Sequence, residues 1–429
     1  LPAGDAEASP EELPAVLAAG TRVVRYAPGT RLFPLFWEPL LAKIQLALLR
    51  HAPAPRPRLA WLPGGQADLL RTELREAFES LGWSVRTATD AGAPLDAAAL
   101  PALLAAGECP ELYFSVNFCG LDPLGKAQHL LAAAGVRTAV WCVDNPLHLL
   151  SGCKSRSWTE LPLFVTDDWF LEPLRQLGAR SVHHLPLAAR AADLDRPAQQ
   201  GLPELKNSLV FVGRSAFPGK EGFFAGCRLP QEPWAQAQAM LQRGERPHFG
   251  WWLEQLGVQP LWPGTEVRRA GYCAEETGRA WRALCLTQAA QALGGGLTVH
   301  GDEGWPALLP KGTDVRPPVD YYATLPAIAA SAACCLNLTS PLLPRGLTQR
   351  HFDTWAWGGT LLSDATPGLN IFPAELTREL TFQEPAALAG RFRALADGAA
   401  LRQQLGEAWR GLLRREHTYA HRLARVLET

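Results

Sequence analysis

The sequence contains 429 residues, of which 47% are hydrophobic and 19% are charged. This composition supplies full-sized hydrophobic cores and excludes a globally disordered chain, and the length predicts two or three domains. Lys and Arg total 41 against 42 for Asp and Glu, and a net charge of −1 excludes the broad positive field of sequence-independent nucleic-acid binding.

Membrane insertion and secretion are not indicated by the N-terminal part of the sequence. The most apolar early stretch, residues 32–49, contains Glu38 and Lys43, so we expect no transmembrane helix. Residues 1–20 are acidic and rich in Ala and Pro, unlike a signal peptide, although a removed signal stays open. The nine cysteines include no C-x-x-C pair, which favours reduced thiols in a cytoplasmic protein.

Short apolar runs alternate with helical patterns through the first half of the chain. The predicted strands are 22–26, 58–62, 83–87, 112–116, 138–143, 163–166 and 182–185. Helical patterns between them include 67–81 and 125–134. This alternation predicts a parallel sheet with helices on both faces.

A second strand–helix series follows residues 189–206, a polar stretch with two prolines that we interpret as an interdomain linker. Its predicted strands are 208–213, 297–299, 333–338, 360–363 and 380–382. Its predicted helices are 276–293, 321–330, 349–357, 386–396 and a long basic helix at 401–427. Residues 218–275 are interpreted as an insertion with helices near 234–242 and 249–256.

Two strand ends in the second series carry candidate donor-binding residues. The first strand ends at Gly213, and the loop after it carries Arg214 and Lys220, which could neutralise a diphosphate. The pattern is neither a Walker loop nor G-x-G-x-x-G, so an ordinary turn with surface cations is the alternative. The second strand runs into His300, Gly301 and Asp302, where the side chains could contact a base or ribose. Neither loop predicts a metal site.

The densest motif is LNLTSPLLPRGLTQRHFDTWAWGGTLLSD, residues 336–364. A predicted strand ends near Asn337, Ser340 follows in the loop, and a helix places Gln349, Arg350 and Asp353 in its first turns. Backbone amides at a helix start attract phosphate, and an Arg adds a bidentate partner. Asp353 could accept hydrogen bonds from ribose hydroxyls. The alternative is a capped helix with an Arg350–Asp353 ion pair.

In the first half, the segment WCVDNPLH follows a predicted strand and contains Asp144 and His148. These two residues are the best candidates for a general base, although Asp-Asn-Pro is also a common turn sequence. Asp167, after the next strand, is a weaker candidate. One D-x-D occurs, at 193–195, but it lies in the predicted linker, so we expect no metal–nucleotide role for it.

Several of these segments resemble the spore-maturation (CgeB-like) glycosyltransferase family: FVG after the linker, VHGDEGW, LNLTS, LTQRHFDTWAWGGTLLSD and the terminal HTYAHR. The segments WCVDNP and FSVNF resemble the N-terminal domain of that family. The resemblance covers about residues 110–425 and is strongest over 297–422.

The resemblance implies an α/β protein of GT-B-like architecture, with two Rossmann-like domains facing across a cleft. The implied domains are an acceptor-side domain at 1–200, a nucleotide-sugar-binding domain at 201–405 and a C-terminal crossover helix at 406–429 that returns to the N-terminal domain. Such enzymes need no metal or other cofactor, because protein cations and a helix start stabilise the leaving diphosphate.

The resemblance also places Asp353 at one carboxylate of the E-x7-E motif of related transferases, whereas Arg345 occupies the other position. This departure questions a retaining mechanism, and Asp144 is the expected base if the enzyme inverts. We expect a bacterial, cytoplasmic, metal-independent glycosyltransferase acting on a nucleotide-sugar donor and an acceptor hydroxyl, with a protein or a surface glycan as candidate acceptor. The alternatives are a non-catalytic nucleotide-sugar- or glycan-binding protein and a nucleotide-sugar epimerase.

Overall fold

The chain forms two compact units. The computed structural model describes residues 15, 32–49, 53–64, 70–196, 201–262 and 264–429. The first unit comprises the described residues up to Val165 together with Leu171–His184 and Leu423–Thr429, and the second comprises Thr166–Phe170 and Leu185–Arg422.

The first unit is built on a six-stranded parallel sheet. The strands are β1 (Arg56–Trp61), β2 (Ser84–Arg86), β3 (Pro110–Val116), β4 (Arg137–Cys142), β5 (Pro162–Val165) and β6 (Ser181–His184), in the order β2-β1-β3-β4-β5-β6. The helices are α1 (Pro34–Ala47), α2 (Arg71–Ser80), α3 (Leu100–Ala105), α4 (Lys126–Ala133), α5 (Pro146–Leu150) and α6 (Leu171–Gln176). Strand β4 is buried from Thr138 onwards, as expected for a parallel strand covered on both faces.

The second unit contains another six-stranded parallel sheet. Its strands are β7 (Leu209–Val212), β8 (Leu297–His300), β9 (Asp314–Arg316), β10 (Cys334–Asn337), β11 (Leu361–Asp364) and β12 (Thr381–Phe382), in the order β12-β11-β10-β7-β8-β9. The helices up to the long α11 are α7 (Ala191–Leu194), α8 (Lys220–Phe223), α9 (Gln231–Gln242), α10 (Phe249–Gln255) and α11 (Val267–Leu293). The later helices are α12 (Leu325–Ser331), α13 (Arg350–Ala356), α14 (Ala374–Thr377), α15 (Leu388–Asp397), α16 (Ala399–Glu416) and α17 (Tyr419–Leu427).

These two sheets confirm the predicted α/β class with two Rossmann-like units. Six of the seven strands predicted in the first half are present, and the seventh, 22–26, lies outside the described residues. All five strands predicted in the second half are also present. Residues 423–429 belong to the first unit.

The prediction of a single helix at 401–427 is wrong, because two helices, α16 and α17, occupy this region. The main chain leaves the helical path where Ala189 bonds to it. The amide of Ala189 donates to the oxygen of His417 at 2.9 Å, and the amide of Tyr419 donates to the oxygen of Ala189 at 3.2 Å. These strand-like bonds compete with helical ones and break the helix at His417–Thr418.

The predicted linker at 189–206 is packed rather than free over its described first part. Helix α7 lies within it, and Asp193 is only 5% exposed. The carboxylate of Asp193 accepts hydrogen bonds from Nε1 of Trp357 at 2.9 Å and from Arg196 at 2.8 Å. The chain changes unit at His184–Leu185, ahead of the domain limit predicted at residue 200.

The insertion predicted at 218–275 carries α8, α9, α10 and the start of α11. Helix α11 begins at Val267 rather than at 276, because its first turns are buried. Nε1 of Trp252 in α10 donates to Oγ1 of Thr277 in α11 at 2.9 Å, which fastens the insertion to the unit.

All nine cysteines are free, and most of them are buried. Over the described ranges, none of the helices combines the length and the apolar character needed to cross a membrane.

Candidate functional site

The strand order of the second sheet reverses between β7 and β10. In open parallel sheets, ligands bind outside the carboxyl ends of the strands at such a switch point. Here β7 ends at Val212 and is followed by the loop that begins with Gly213, while β10 ends at Asn337. The topology therefore brings the predicted donor residues that follow β7, β8 and β10 to one edge of one sheet.

Asp302 joins the loops that follow β7 and β8. Its carboxylate accepts hydrogen bonds from the amide of Ser215 at 2.8 Å, from the Ser215 hydroxyl at 2.6 Å and from the amide of Gly304 at 3.0 Å. Burial acts to raise the pKa of Asp302, but the hydrogen bonds from Ser215 and the main chain outweigh it and lower the pKa. The carboxylate thus fixes the shape of both loops.

The close approach of the same two loops requires glycine at 301. A Cβ atom there would collide with the main-chain oxygen of Gly213 and with the indole of Trp305. Nε1 of Trp305 donates to that same oxygen of Gly213 at 2.8 Å. Gly301 is therefore needed for the packing of the loops at the end of the sheet, and Gly213 contributes its main-chain oxygen to that packing.

His300, at the end of β8, keeps one ring nitrogen available. Its Nδ1 lies 3.2 Å from the oxygen of Pro317, which can only accept, so Nδ1 carries the proton in the neutral ring. His300 is only 7% exposed, and its Nε2 is buried. This nitrogen finds no hydrogen-bond partner within the described part of the chain. Nε2 of His300 is thus a buried acceptor with no partner among the described residues.

Arg350 lies at the start of α13 and reaches the end of β7. Its guanidinium donates to the main-chain oxygen of Val212. The side chain is partly buried, and this burial lowers the pKa of the guanidinium. No carboxylate of the described residues forms an ion pair with Arg350, so the alternative of an Arg350–Asp353 pair is not found.

The other two predicted cations differ from Arg350. Lys220 is buried, forms an ion pair with Glu276 and lies 5.7 Å from the ring centroid of Tyr272. Its charge is thus already compensated within the protein. Arg214 is exposed in the loop after β7 and forms no hydrogen bond or ion pair with the residues that the structure describes.

Asp353 is 2% exposed and accepts a hydrogen bond from the Tyr321 hydroxyl at 2.8 Å. Burial, and next the carboxylate of Asp353, raise the pKa of Tyr321 well above its ordinary value. The Tyr321 phenol therefore stays protonated and donates to Asp353. A ribose contact of Asp353 stays a prediction.

Asn337 belongs to a buried network under the loop that follows β10. Its Oδ1 accepts from the Thr348 hydroxyl at 2.9 Å, and its Nδ2 lies 3.3 Å from Oγ of Ser363 and 3.4 Å from Nε2 of His351. Burial lowers the pKa of His351 to about 3, so this ring is neutral. Asn337 is thus engaged in holding the start of α13.

Ser340 and Gln349 lie on either side of that loop. The Ser340 hydroxyl accepts from the amide of Leu342 at 3.3 Å. Ser340 also lines the cavity of about 610 Å³ that is described below. Gln349 is buried just before α13. Of the predicted donor residues, Ser340 is the one that lines this cavity.

Arg246 and Asp364 are not among the site residues predicted from the sequence. The guanidinium of Arg246, from the insertion, donates to Oδ2 of Asp364 at 2.6 Å and to the oxygen of Ala365 at 2.6 Å. Nε1 of Trp281 also donates to Oδ2 of Asp364 at 2.9 Å. Asp364 ends β11 within the quoted TLLSD segment, so its place at a strand end was the available signal.

A cavity of about 610 Å³ lies in the second unit beyond the carboxyl ends of β10, β11 and β12. Its lining includes Trp169, Arg246, His248, Ser340, Arg345 and Gln383. Burial, and next the charge of Arg246, lower the pKa of His248. Nδ1 of His248 accepts from the amide of Trp251 at 3.3 Å, so Nε2 of the neutral ring is a donor.

Asp167 and Arg345 are in direct contact. Oδ2 of Asp167 accepts from the amide of Arg345 at 2.8 Å, and Oδ1 accepts from the amide of Trp169 at 2.9 Å. Asp167 is 1% exposed, and burial raises its pKa to about 6. The Arg345 guanidinium lies 3.4 Å from the carboxylate of Asp168. Arg345, which replaces a carboxylate of the E-x7-E motif, is therefore held by Asp167 and Asp168.

In the first unit, Asp144 follows β4 and accepts from Nδ2 of Asn117 at 2.7 Å. Asn117 has a left-handed backbone, with φ of 53°, and its Oδ1 accepts from the amide of Val143 at 2.9 Å. Asp144 is exposed, yet desolvation by surrounding protein atoms raises its pKa, and the bond from Asn117 opposes this rise. His148 lies in the last turn of α5, whose first turn is capped by Asn145.

The described ranges contain no group of three or more His, Cys, Asp or Glu side chains that could hold a metal ion.

Residues 279–428 match the sequence profile of a family described as glycosyl transferase-like. The matched region begins within α11 and extends through α17, so it includes the predicted donor residues from His300 to Asp353. This match supports the prediction of a glycosyltransferase. A search of curated protein sequences found no match.

Solved structures with a similar fold include two glycosyltransferases. The T4 phage BGT in complex with its UDP-glucose substrate is 11% identical, with a TM-score of 0.45, and covers 85% of this chain and 96% of its own. A UDP-forming trehalose-phosphate synthase from Burkholderia xenovorans is 9% identical, with a TM-score of 0.43, and covers 86% and 98%. At these values the likenesses do not identify what this chain binds.

Proposed function

We propose that the chain is a metal-independent GT-B glycosyltransferase that moves a sugar from a nucleoside-diphosphate sugar to an acceptor hydroxyl. The observation that carries this proposal is the match of residues 279–428 to a glycosyl transferase-like family. The matched region contains the loops after β8 and β10, beside the switch point of a parallel sheet.

The donor diphosphate is assigned to the end of β7. Arg350 is partly buried there and pairs with no carboxylate of the described residues, so a bound anion would compensate its charge. Helix α13 spans only Arg350–Ala356, so the side chain rather than the helix dipole would supply most of the attraction. Arg214, exposed in the loop after β7, is positioned as a second cation.

His300 is assigned a role in recognising the nucleoside. Its buried Nε2 is an acceptor without a protein partner in the described ranges, so it suits a ribose hydroxyl or a base N–H. A ligand N–H or O–H that donates a hydrogen bond to Nε2 would remove the free-energy cost of leaving this buried nitrogen unpaired.

The acceptor hydroxyl is activated by Asp144 in an inverting displacement. The carboxylate takes the hydroxyl proton while the oxygen attacks the anomeric carbon, and the bond from that carbon to the diphosphate oxygen breaks. The nucleoside diphosphate leaves with the electron pair. The raised pKa of Asp144 supports this role, because a base is most effective when its pKa approaches the working pH.

A non-catalytic nucleotide-sugar- or glycan-binding protein is the second candidate. Arg345 stands at a position where related enzymes have a carboxylate, and Asp353 already bonds to Tyr321. An epimerase on the same scaffold would act on the donor alone. The acceptor class, a protein or a surface glycan, and a cytoplasmic site of action belong to the proposal.

Thermal shift followed by a turnover assay tests the proposal. The protein is heated with UDP, GDP, TDP, CDP or ADP, each with and without EDTA, and saturation should add about 2.7 kcal/mol of stability at about 100 times Kd. The sugar donor of the stabilising nucleotide is then incubated with candidate acceptors, and nucleoside diphosphate release is measured. Stabilisation that EDTA abolishes contradicts the metal-free mechanism, and binding without turnover favours the second candidate.

A further inference from the structure

A second cavity, of about 390 Å³, opens at the amino ends of β10 and β11. Ala333 and Thr360, which immediately precede these strands, contribute to its lining. This edge of the sheet is opposite the carboxyl ends where the donor site is proposed, so the cavity does not belong to that site.

One wall of the cavity is a single face of helix α16. The residues of this face are Ala399, Arg402, Gln403, Gly406 and Arg410. Their spacing of three or four places them on one side of the helix over about 16 Å. The facing wall is formed by small residues, including Gly358 and Gly359, so no large side chain fills the space.

The charge of the lining has one sign. Lys206, Arg402 and Arg410 line the cavity, and the described lining residues include neither Asp nor Glu. The guanidinium of Arg402 donates to the main-chain oxygens of Leu395 and Ala396 at the end of α15, so it has a structural partner.

Arg410 and Lys206 have no such partner. Neither side chain forms a hydrogen bond or an ion pair with the residues that the structure describes. The nearby carboxylate of Glu407, on α16, accepts from Nε2 of Gln403 at 3.0 Å and does not pair with Arg410. Two cations of the lining are therefore available to a ligand.

The first turn of α16 borders the cavity, next to the last turn of α15. This helix of 18 residues begins at Ala399 without a side-chain cap and without an acidic residue in its first turn. Its first amides lack helical acceptors, and the positive end of the helix dipole lies at the same place.

We infer that this cavity binds a small phosphorylated molecule at a site separate from the proposed donor site. A guanidinium and an ammonium with unused donors match the oxygens of a phosphate group. A concave space of about 390 Å³ suits a small ligand better than a flat polyanion. The inference is independent of the proposed transferase activity, because it rests on other residues.

Isothermal titration of the full chain with pyrophosphate, and then with inorganic phosphate, tests the inference. The double variant Lys206→Gln/Arg410→Gln removes the two cations without breaking a hydrogen bond or an ion pair among the described residues. It should bind pyrophosphate at least about tenfold more weakly than the natural chain. The matched control Arg415→Gln removes an exposed charge from the same helix and should bind as the natural chain does.

Each of these results would overturn the inference: no binding of either anion by the natural chain, equal affinity in the double variant, or an equal loss in the Arg415→Gln control. A Glu-rich peptide that displaces pyrophosphate and binds more tightly would assign the cavity to an acidic chain segment and would overturn it as well. Melting temperatures of all variants, measured in parallel, separate lost binding from lost folding.

Discussion

The guanidinium of Arg350, the first residue of α13, donates to the main-chain oxygen of Val212, the last residue of β7. This bond connects the helix directly to the end of the strand. This contact places a cation without a carboxylate partner among the described residues at the sheet's switch point. The relationship links the fold to the proposed diphosphate site.

Replacing Arg350 with Gln should weaken binding of the stabilising nucleoside diphosphate by about tenfold or more, because a charge-assisted contact to phosphate is lost. Isothermal titration measures the change. Arg350→Lys keeps the charge and should retain part of the affinity. Arg391→Gln, on α15, is the control and should bind normally. Unchanged affinity in Arg350→Gln would remove the phosphate role of this residue.

Asp144→Asn should lower the rate of sugar transfer by about a hundredfold or more while donor affinity stays unchanged, because a general base is lost. In the natural chain, kcat should rise with pH and reach a plateau above the raised pKa of Asp144, since only the ionised carboxylate accepts a proton. The steady-state rate over a pH series checks both statements. Asp90→Asn, at an exposed position, is the control.

Asp167 should make the protein less stable as the pH rises. Burial raises its pKa from 3.8 to about 6, so the folded chain binds the proton more tightly than the unfolded chain. The stabilisation is complete below the unfolded value and is lost as the pH rises through about 6, with a size of about 3 kcal/mol.

Urea unfolding of the natural chain and of Asp167→Asn at several pH values tests this prediction. The free energy of unfolding of the natural chain, relative to the variant, should fall between pH 4 and pH 6. A difference that stays constant over this range contradicts it.

His351 should have the opposite effect. Burial, opposed by a hydrogen bond from the ring to the main-chain oxygen of Thr348 and reinforced by the charge of Arg350, lowers its pKa from 6.5 to about 3. The unfolded chain binds the proton more tightly, so the contribution is present above the unfolded pKa and is lost as the pH falls toward 3. His351→Gln should flatten the fall of the unfolding free energy below pH 6.5, whereas exposed-surface variants should not.

Trp409 in α16 stacks on Trp355 in α13, with ring centroids 5.3 Å apart and planes within 2° of parallel. Both side chains are at most 1% exposed. Trp409→Ala should therefore lower the free energy of unfolding by about 3–5 kcal/mol. Trp251→Ala, at a partly exposed position, is the matched control and should cost less. Equal costs would mean that the stack contributes little.

The strands were predictable because parallel strands covered on both faces are continuous apolar runs, as in β4 and β10. Strand β9 was missed because its three residues, DVR, carry charges at both ends. The break between α16 and α17 was missed because Ala189, distant in sequence, imposes it. Local patterns do not contain such long-range bonds.

The candidate site was predictable only where a residue's own loop determines its position. The strand-end place of His300 follows from local sequence. By contrast, Lys220 is compensated by Glu276 in α11, and Asp302 is engaged by Ser215 from the loop after another strand. These partners come from distant segments of the chain. The spacing of residues along the sequence therefore could not predict that the side chains of Lys220 and Asp302 are already engaged within the protein.

The first unit includes residues 423–429, which are distant in sequence from its other segments, and this has a consequence for synthesis of the chain. Arg137 of β4 donates to the oxygen of Val426 at 3.3 Å, and Arg425 donates to the oxygen of His184 at 3.2 Å. These contacts close only after residues 185–422 have been synthesised. On the ribosome, the first unit therefore still lacks residues 423–429 when the sheet of the second unit has been synthesised.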